Sequence, residues 1–355
     1  MKILLDNIFA FIVLMLILSV SMTMLISSSY NSLAQTGEHQ LEEVSASIVQ
    51  KTVFDAGYAP DWGKDVQIGQ EDLTVFGLHK VDGDVYELDI NKVLKLVNGT
   101  IDPKTVSGLL GLGGETRYRF SMEIMPFLNI SAEVTGYHLN IPSAFSITVE
   151  NYAKRISPNC KLIALYSIIW IKEGQVFFRY TNASTITNWA GEASLNMTPW
   201  LESIRTELEG NEAILPYLVL SGNYFQIKGI SHFSFGQTTP IRTVGDYLFF
   251  SSAEEASERA IVCAPPYYIF SERVDKLDNQ TLKIQDGIED SICSMIVPFN
   301  SNGTYQFALA SRLPINLLFQ SGLPSTKKTS VISRMVKMGD YDYLFKLIVW
   351  REVEA

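Results

Sequence analysis

The hydrophobic pattern divides the chain before any motif is considered. From Ile8 to Ile26 nineteen consecutive residues carry no formal charge, softened only by Ser19, Ser21 and Thr23. At about 1.5 Å rise per residue a helix of that length covers roughly 28 Å, close to the ~30 Å hydrocarbon thickness of a bilayer. A buried soluble helix would show a polar face, which this run lacks. A cleavable secretory signal is the alternative, since Ser32-Leu33-Ala34 offers a small-x-small site, although such signals have apolar cores of only about 7 to 15 residues. The expectation is an uncleaved signal anchor. Lys2 and the amino terminus precede the run, and Glu38, Glu42 and Glu43 follow it. The positive-inside rule then predicts a single pass through the cell membrane, amino terminus cytoplasmic and the bulk of the chain extracellular.

After the run the spacing stays helical. Leu41, Val44, Ile48, Val49 and Val53 fall on one face, opposite Glu42, Glu43, Gln50 and Lys51, which predicts an amphipathic stalk ended by the glycines and proline of "FDAGYAPDWG". Farther on the period changes to two. "YRFSMEI" puts Tyr118, Phe120, Met122 and Ile124 on one face, and near the end Met338 and Tyr341 flank Gly339-Asp340, a two-residue hairpin turn that leads to Tyr343, Phe345, Leu347 and Val349 on one face. These two regions are expected to share one sheet, so that what lies between them is an insertion. Within it, residues 145–197 alternate short β-prone runs with Pro, Asn and Gly punctuation at the spacing of a sandwich, and "AILPYLVLSGNYFQIKGISHFSF" supplies its last strands. Ser252 with Glu255 forms a capping box that predicts a short helix over "ASERAIV", while "TYQFALA" and "INLLFQ" read as strands.

The expected organisation is α+β, mainly β: a transmembrane helix and stalk over 1–56, a small α+β head over 57–131 completed by 326–355, a β-sandwich over 132–235, and a β-rich region of unknown type over 236–325.

Charge and motifs narrow the chemistry. A net charge of -10 and a pI near 5.0 argue against a nucleic-acid partner. His39, His79, His138 and His232 are scattered without metal-ligand spacing, and there is no G-x-S-x-G elbow. "GLLGLGGE" lacks the G-K-[ST] ending of a phosphate loop, and Gly111, Gly113 and Gly114 read better as a helix C-cap and turn. "VDGDVY" reads as a turn, since its acids lack calcium-loop spacing. No catalytic, cofactor or metal site is expected, and the chain is read as a non-enzyme. Asn98, Asn129, Asn182, Asn196, Asn279 and Asn302 open N-x-[ST] sequons, six against roughly two or three expected by chance, which suits a glycan-decorated exterior. In such a compartment Cys263 and Cys293 are candidates to pair, leaving Cys160 as a buried thiol; three ordinary buried cysteines are the alternative.

"LLDNIFAFIVLMLIL", "AGYAPDWG", "FGLH", "YELDINKVLKLV" and "LLGLGGETRYRFSMEI", with the closing "VISRMVKMGDYDYLFKLIVWR", resemble archaeal type IV pilin-like surface proteins over about the first 130 and last 30 residues. The middle region resembles Ig-like modules of bacterial and archaeal surface proteins. The first resemblance implies self-association, or association with other pilin-like subunits, through the amino-terminal helix. It also implies a role for Asp6, which stands where a pilin carboxylate offsets a neighbour's amino-terminal charge inside the filament core. An interfacial carboxylate at the mouth of the span is the plain alternative. No basic-Gly processing site precedes Asp6, so prepilin-peptidase cleavage is not implied. Two function classes follow: a pilin-like or pseudopilin subunit, including a minor or tip component, and a monomeric anchored protein that binds a surface, glycan or cell. An ectoenzyme ranks third.

Overall fold

The computed structural model describes residues 39–112, 118–250, 256–264, 266, 268–285, 293–322 and 328–351, with Met15, Ser21, Met22 and Met24 of the apolar run, all four helical. The rest of that run, including Asp6, lies outside the described residues. Among the described residues no helix is long and apolar enough to cross a membrane.

Helix α1 covers 39–54, and its buried positions Leu41, Ser45, Ile48, Val49, Thr52 and Val53 follow the helical repeat, with the Ser45 hydroxyl donating back to Leu41 O at 2.7 Å. Helices α2 (Ile90–Val97) and α3 (Pro103–Leu109) begin at aspartate caps: Asp89 accepts from the N–H groups of Asn91 and Lys92, and Asp102 from that of Thr105. Strand β1 (Tyr118–Pro126) follows. The chain then leaves for two β domains and returns as β17 (Leu317–Gln320), β18 (Thr329–Met338) and β19 (Tyr341–Arg351), to give an antiparallel head sheet in the order β17-β1-β19-β18. "YRFSMEI" and the last hairpin therefore do lie in one sheet, with Phe120 opposite Val349 and Met338 opposite Tyr341.

The first excursion is a sandwich of β2 (Leu128–His138), β3 (Ile141–Asn151), β4 (Lys161–Lys172), β5 (Gln175–Ile186), β6 (Glu192–Asn196), β7 (Ala213–Tyr224) and β8 (Ile227–Ser234), with α4 (Thr198–Ser203) between β6 and β7. Its sheets run β2-β3-β6 and β5-β4-β7-β8. The second excursion contains β9 (Thr238–Pro240), β10 (Arg242–Val244), β11 (Tyr247–Phe249), β12 (Arg259–Ala264), β13 (Tyr268–Lys276), β14 (Thr281–Ile284), β15 (Ser294–Ser301) and β16 (Thr304–Ser311), in one sheet of order β10-β11-β14-β13-β12-β15-β16-β9. Only Ile241 separates β9 from β10, so the two ends of that order meet and the sheet curls almost into a barrel.

Burial explains the apolar run "KLIALYSIIWIK". On one face of β4, Leu162, Ala164, Tyr166, Ile168 and Trp170 fill the sandwich core; on the other, Leu165, Ile169 and Ile171 belong to a larger core shared with α1, the head sheet and the barrel. A strand buried on both faces loses the alternation of a half-exposed one.

Three expectations change. The short helix over 256–262 is absent: Arg259–Ala264 is β12, laddered to β13 and β15, with Ile261 and Val262 both buried, while Ser252 and Glu255 lie outside the described residues. Tertiary pairing of β-branched residues outweighs a local cap. The sandwich begins at Leu128 rather than at residue 132, and Leu317–Gln320 completes the head sheet rather than the region before it.

Candidate functional site

Three of the quoted segments, "AGYAPDWG", "FGLH" and "YELDINKVLKLV", meet in the head. Trp62 is fully buried and its indole N–H donates to Gly77 O at 3.2 Å. A Cβ on Gly77 would stand 2.1 Å from Asp55 O, and one on Gly63 would stand 2.5 Å from Lys92 N, so both close approaches require glycine. Two lysines on α2 lock the loops above them. Lys92 Nζ donates to Ala56 O and to His79 O, each at 2.8 Å, and Lys95 Nζ to Asp65 O and to Ile68 O. Both side chains are fully buried. Burial pulls both ammonium groups below the usual lysine range, partly offset by Asp89, Asp61 and Asp55 around Lys92 and by Asp65 and Asp72 around Lys95. "AGYAPDWG", "FGLH" and "INKVLKLV" are thus one clamp, a structural assembly without a free reactive group.

A polar seam lies where the domains join. Tyr217 Oη donates to Ser294 Oγ at 2.6 Å, His232 Nε2 bonds Ser311 Oγ at 2.7 Å, and Arg312 Nη2 donates to Asn91 Oδ1 at 2.9 Å, tying the end of the barrel to α2. Cys263 and Cys293 sit in this seam, with Cys293 N–H donating to Cys263 O at 3.0 Å. They and Cys160 are buried free thiols in this structure, and burial pushes Cys293 up to about 12 and Cys160 up to about 11. Inert thiols of this kind are not nucleophiles.

Burial also holds His232, beside the Tyr217 ring, down at about 4. Between pH 6.5 and 4 the unfolded chain takes up a proton that the folded one declines, so this contribution to stability is complete above 6.5 and lost as the pH falls through 4. The urea midpoint is expected to drop over that interval, and His232→Gln is expected to flatten the drop relative to wild type. Parallel pH profiles of the two would sink the assignment.

The remaining histidines do not converge: His138 pairs with Glu202 at 2.6 Å and His39 approaches Glu42 at 3.9 Å. Among the described residues no group of three His, Cys, Asp or Glu side chains is placed to hold a metal. A shallow open cleft of 320 Å³ lies between the β4–β5 turn and the barrel, lined by Gly174, Glu258, Asn300 and Tyr305 among others.

Of the sequon asparagines, Asn129, Asn182, Asn196, Asn279 and Asn302 are exposed, whereas Asn98 caps α2, is half-buried and donates its amide to Thr243 O at 3.1 Å. The conspicuous exposed surface is aromatic. Trp189 in the β5–β6 turn and Phe225 in the β7–β8 turn are each 83% exposed, at one end of the sandwich together with exposed Tyr152, Ile156 and Ile186. Loop aromatics of this kind carry no periodicity, so the sequence pattern did not mark them.

No family model and no curated protein matches the chain. Among solved structures it is similar to the crystal structure of Spo0M, a sporulation control protein from Bacillus subtilis, at 9% identity over 56% of this chain and 91% of that one, with a TM-score of 0.17. At that score the likeness carries no argument about fold or function.

Proposed function

We propose that the chain is a non-enzymatic, membrane-anchored pilin-like subunit of a type IV pilus-like or secretion assembly that presents two inserted β domains outside the cell. One observation carries the reading: α1, which follows the apolar run, buries its Leu41, Ile48, Val49 and Val53 stripe in the same core as Phe120, Met122, Phe345 and Leu347 of the head sheet. An apolar run followed in sequence by a helix packed on the head sheet is the order of segments in a pilin. The clamp around Trp62 and Lys92 holds the segment that follows α1 against α2.

Asp6 supplies the test. Asp6→Ala should leave membrane insertion intact, since removing a charge beside an apolar run favours insertion. In a filament core it should cut crosslinking between copies through Ser19→Cys by at least about tenfold, because a neighbour's amino-terminal charge is left unpaired in a low-dielectric site. Equal crosslinking with and without the Asp6 carboxylate would favour the second reading, a monomeric anchored binding protein. The exposed Trp189 and Phe225 support that alternative, since aromatic loop tips are common anchors for partners.

A further inference from the structure

Three loops form one end of the sandwich: the β3–β4 connection over 152–160, the β5–β6 turn over 187–191 and the β7–β8 turn over 225–226. Register brings them together, with Lys161 opposite both Ile186 and Asn223, and Asn159 N–H donates to Thr187 O at 3.0 Å. Two aromatic side chains stand at tips that do not need them to close. In the β5–β6 turn Asn188 Oδ1 accepts from the N–H groups of Ala190 and Glu192, so the loop is held without Trp189, whose side chain is 83% exposed. In the β7–β8 turn Phe225 and Gln226 hold φ at 48° and 71°, and Asn and Gly are the favoured residues of such a two-residue turn. Phe225 takes a left-handed position that a bulky residue occupies at a cost, is also 83% exposed, and is braced edge-on by Tyr224 with ring centroids 4.6 Å apart. Exposed Tyr152, Ile156 and Ile186 belong to the same end.

The charge of this end runs against that of the chain. Over 150–161, 186–192 and 223–228 the cations are Lys154, Arg155, Lys161 and Lys228, all exposed, and the acids are Glu150 and Glu192. In the whole chain acids outnumber cations, 38 to 28. Asp342 of the head reaches this end too, but it is buried and accepts from Lys228 N–H at 2.7 Å. Aromatic and aliphatic tips beside lysine and arginine are the composition that seats at a lipid–water boundary: the rings enter the headgroup level and the cations meet anionic headgroups. The core of a protein interface is instead depleted of lysine. We propose that this end of the sandwich binds an anionic lipid surface, with Trp189 and Phe225 in the headgroup boundary and the four cations on the lipid phosphates. The inference concerns these loops alone and does not depend on the apolar run.

The test holds the full chain in phosphatidylcholine nanodiscs and mixes it with vesicles of phosphatidylcholine, alone or with an equal part of phosphatidylglycerol, before flotation. A chain that does not enter nanodiscs would overturn the anchored reading and is mixed with the vesicles directly, so the two failures stay apart. The anionic vesicles are expected to float the chain at least about tenfold more than the neutral ones. Trp189→Ser with Phe225→Ser, and separately Lys154→Glu with Arg155→Glu, should each cut that binding by at least about tenfold. Leu318→Ser, an exposed apolar change on the head, should float as wild type does. Tryptophan emission gives a local reading. Trp62, Trp170 and Trp350 are buried and Trp200 is half-buried, so a blue shift on anionic vesicles reports Trp189 and should vanish in Trp189→Ser. Equal flotation on both vesicles, or by wild type and either double variant, would overturn the proposal. No flotation on either vesicle would overturn it as well and leave the tip to a protein or glycan partner.

Discussion

A chain ended at Phe345 is expected to lose its folded head. The deletion removes Lys346–Arg351 from β19, the strand between β1 and β18, and so strips register partners from Tyr118–Glu123 on one side and from Thr329–Ser333 on the other. Leu347, Val349 and Trp350, each no more than 2% exposed, leave the core with it. Truncating one such side chain costs about 2 to 5 kcal/mol. Losing three together with two ladders is comparable with the whole stability of a domain, about 5 to 15 kcal/mol. Hydrogen exchange should show residues 57–126 unprotected, and native protection there in the truncated chain would sink the shared-sheet account. The sandwich is not expected to survive alone. A fragment over 137–235 lacks most of β2 and exposes Leu165, Ile169, Ile171, Leu215, Tyr217 and Val219, which the intact chain buries against the other domains. It should be recovered as an aggregate rather than as a monomer.

Lys92→Met should strongly destabilise the head. The thioether fills much of the space of the lysine stem, so the loss is mainly that of the two bonds to Ala56 O and His79 O. Each buried carbonyl left unpaired costs about 1 to 3 kcal/mol, for a total of roughly 2 to 6 kcal/mol. The pH dependence adds a sign. Because burial lowers the folded-state pKa of Lys92, the unfolded chain binds more protons between that value and 10.5, and the contribution of Lys92 to stability rises with pH in that window. The deficit of Lys92→Met should therefore widen toward pH 10, opposite to a lysine held by an exposed ion pair. Guanidinium unfolding at pH 7 and pH 9.5 reads both features; a wild-type midpoint at pH 7 would dismiss the clamp.

The motifs that marked the head in the sequence are the places where backbone meets backbone. Gly63 and Gly77 are needed for contact distance, and Trp62 for its indole bond. Lys92 and Lys95 gave no such signal. Lysines inside an amphipathic helix read as its solvated face, and only the loops over 55–80 folding across α2 put them inside. The exposed aromatic surface was equally illegible: Trp189 and Phe225 sit in turns, where exposure depends on which neighbours the chain brings near.

The sequence by itself determined what its local periods control. These are the α1 stripe from Leu41 to Val53, the alternation of "YRFSMEI", the turn at Gly339-Asp340, and the strand-rich middle, because each depends on side chains within a turn or a hairpin of one another. Strand neighbours far apart in the chain were decided by the tertiary structure alone. Met122 pairs with Phe319, β9 pairs in parallel with β16, and β4 is buried on both faces. The strand β12 likewise replaces a locally capped helix, since two ladders and a buried apolar face outweigh one capping interaction.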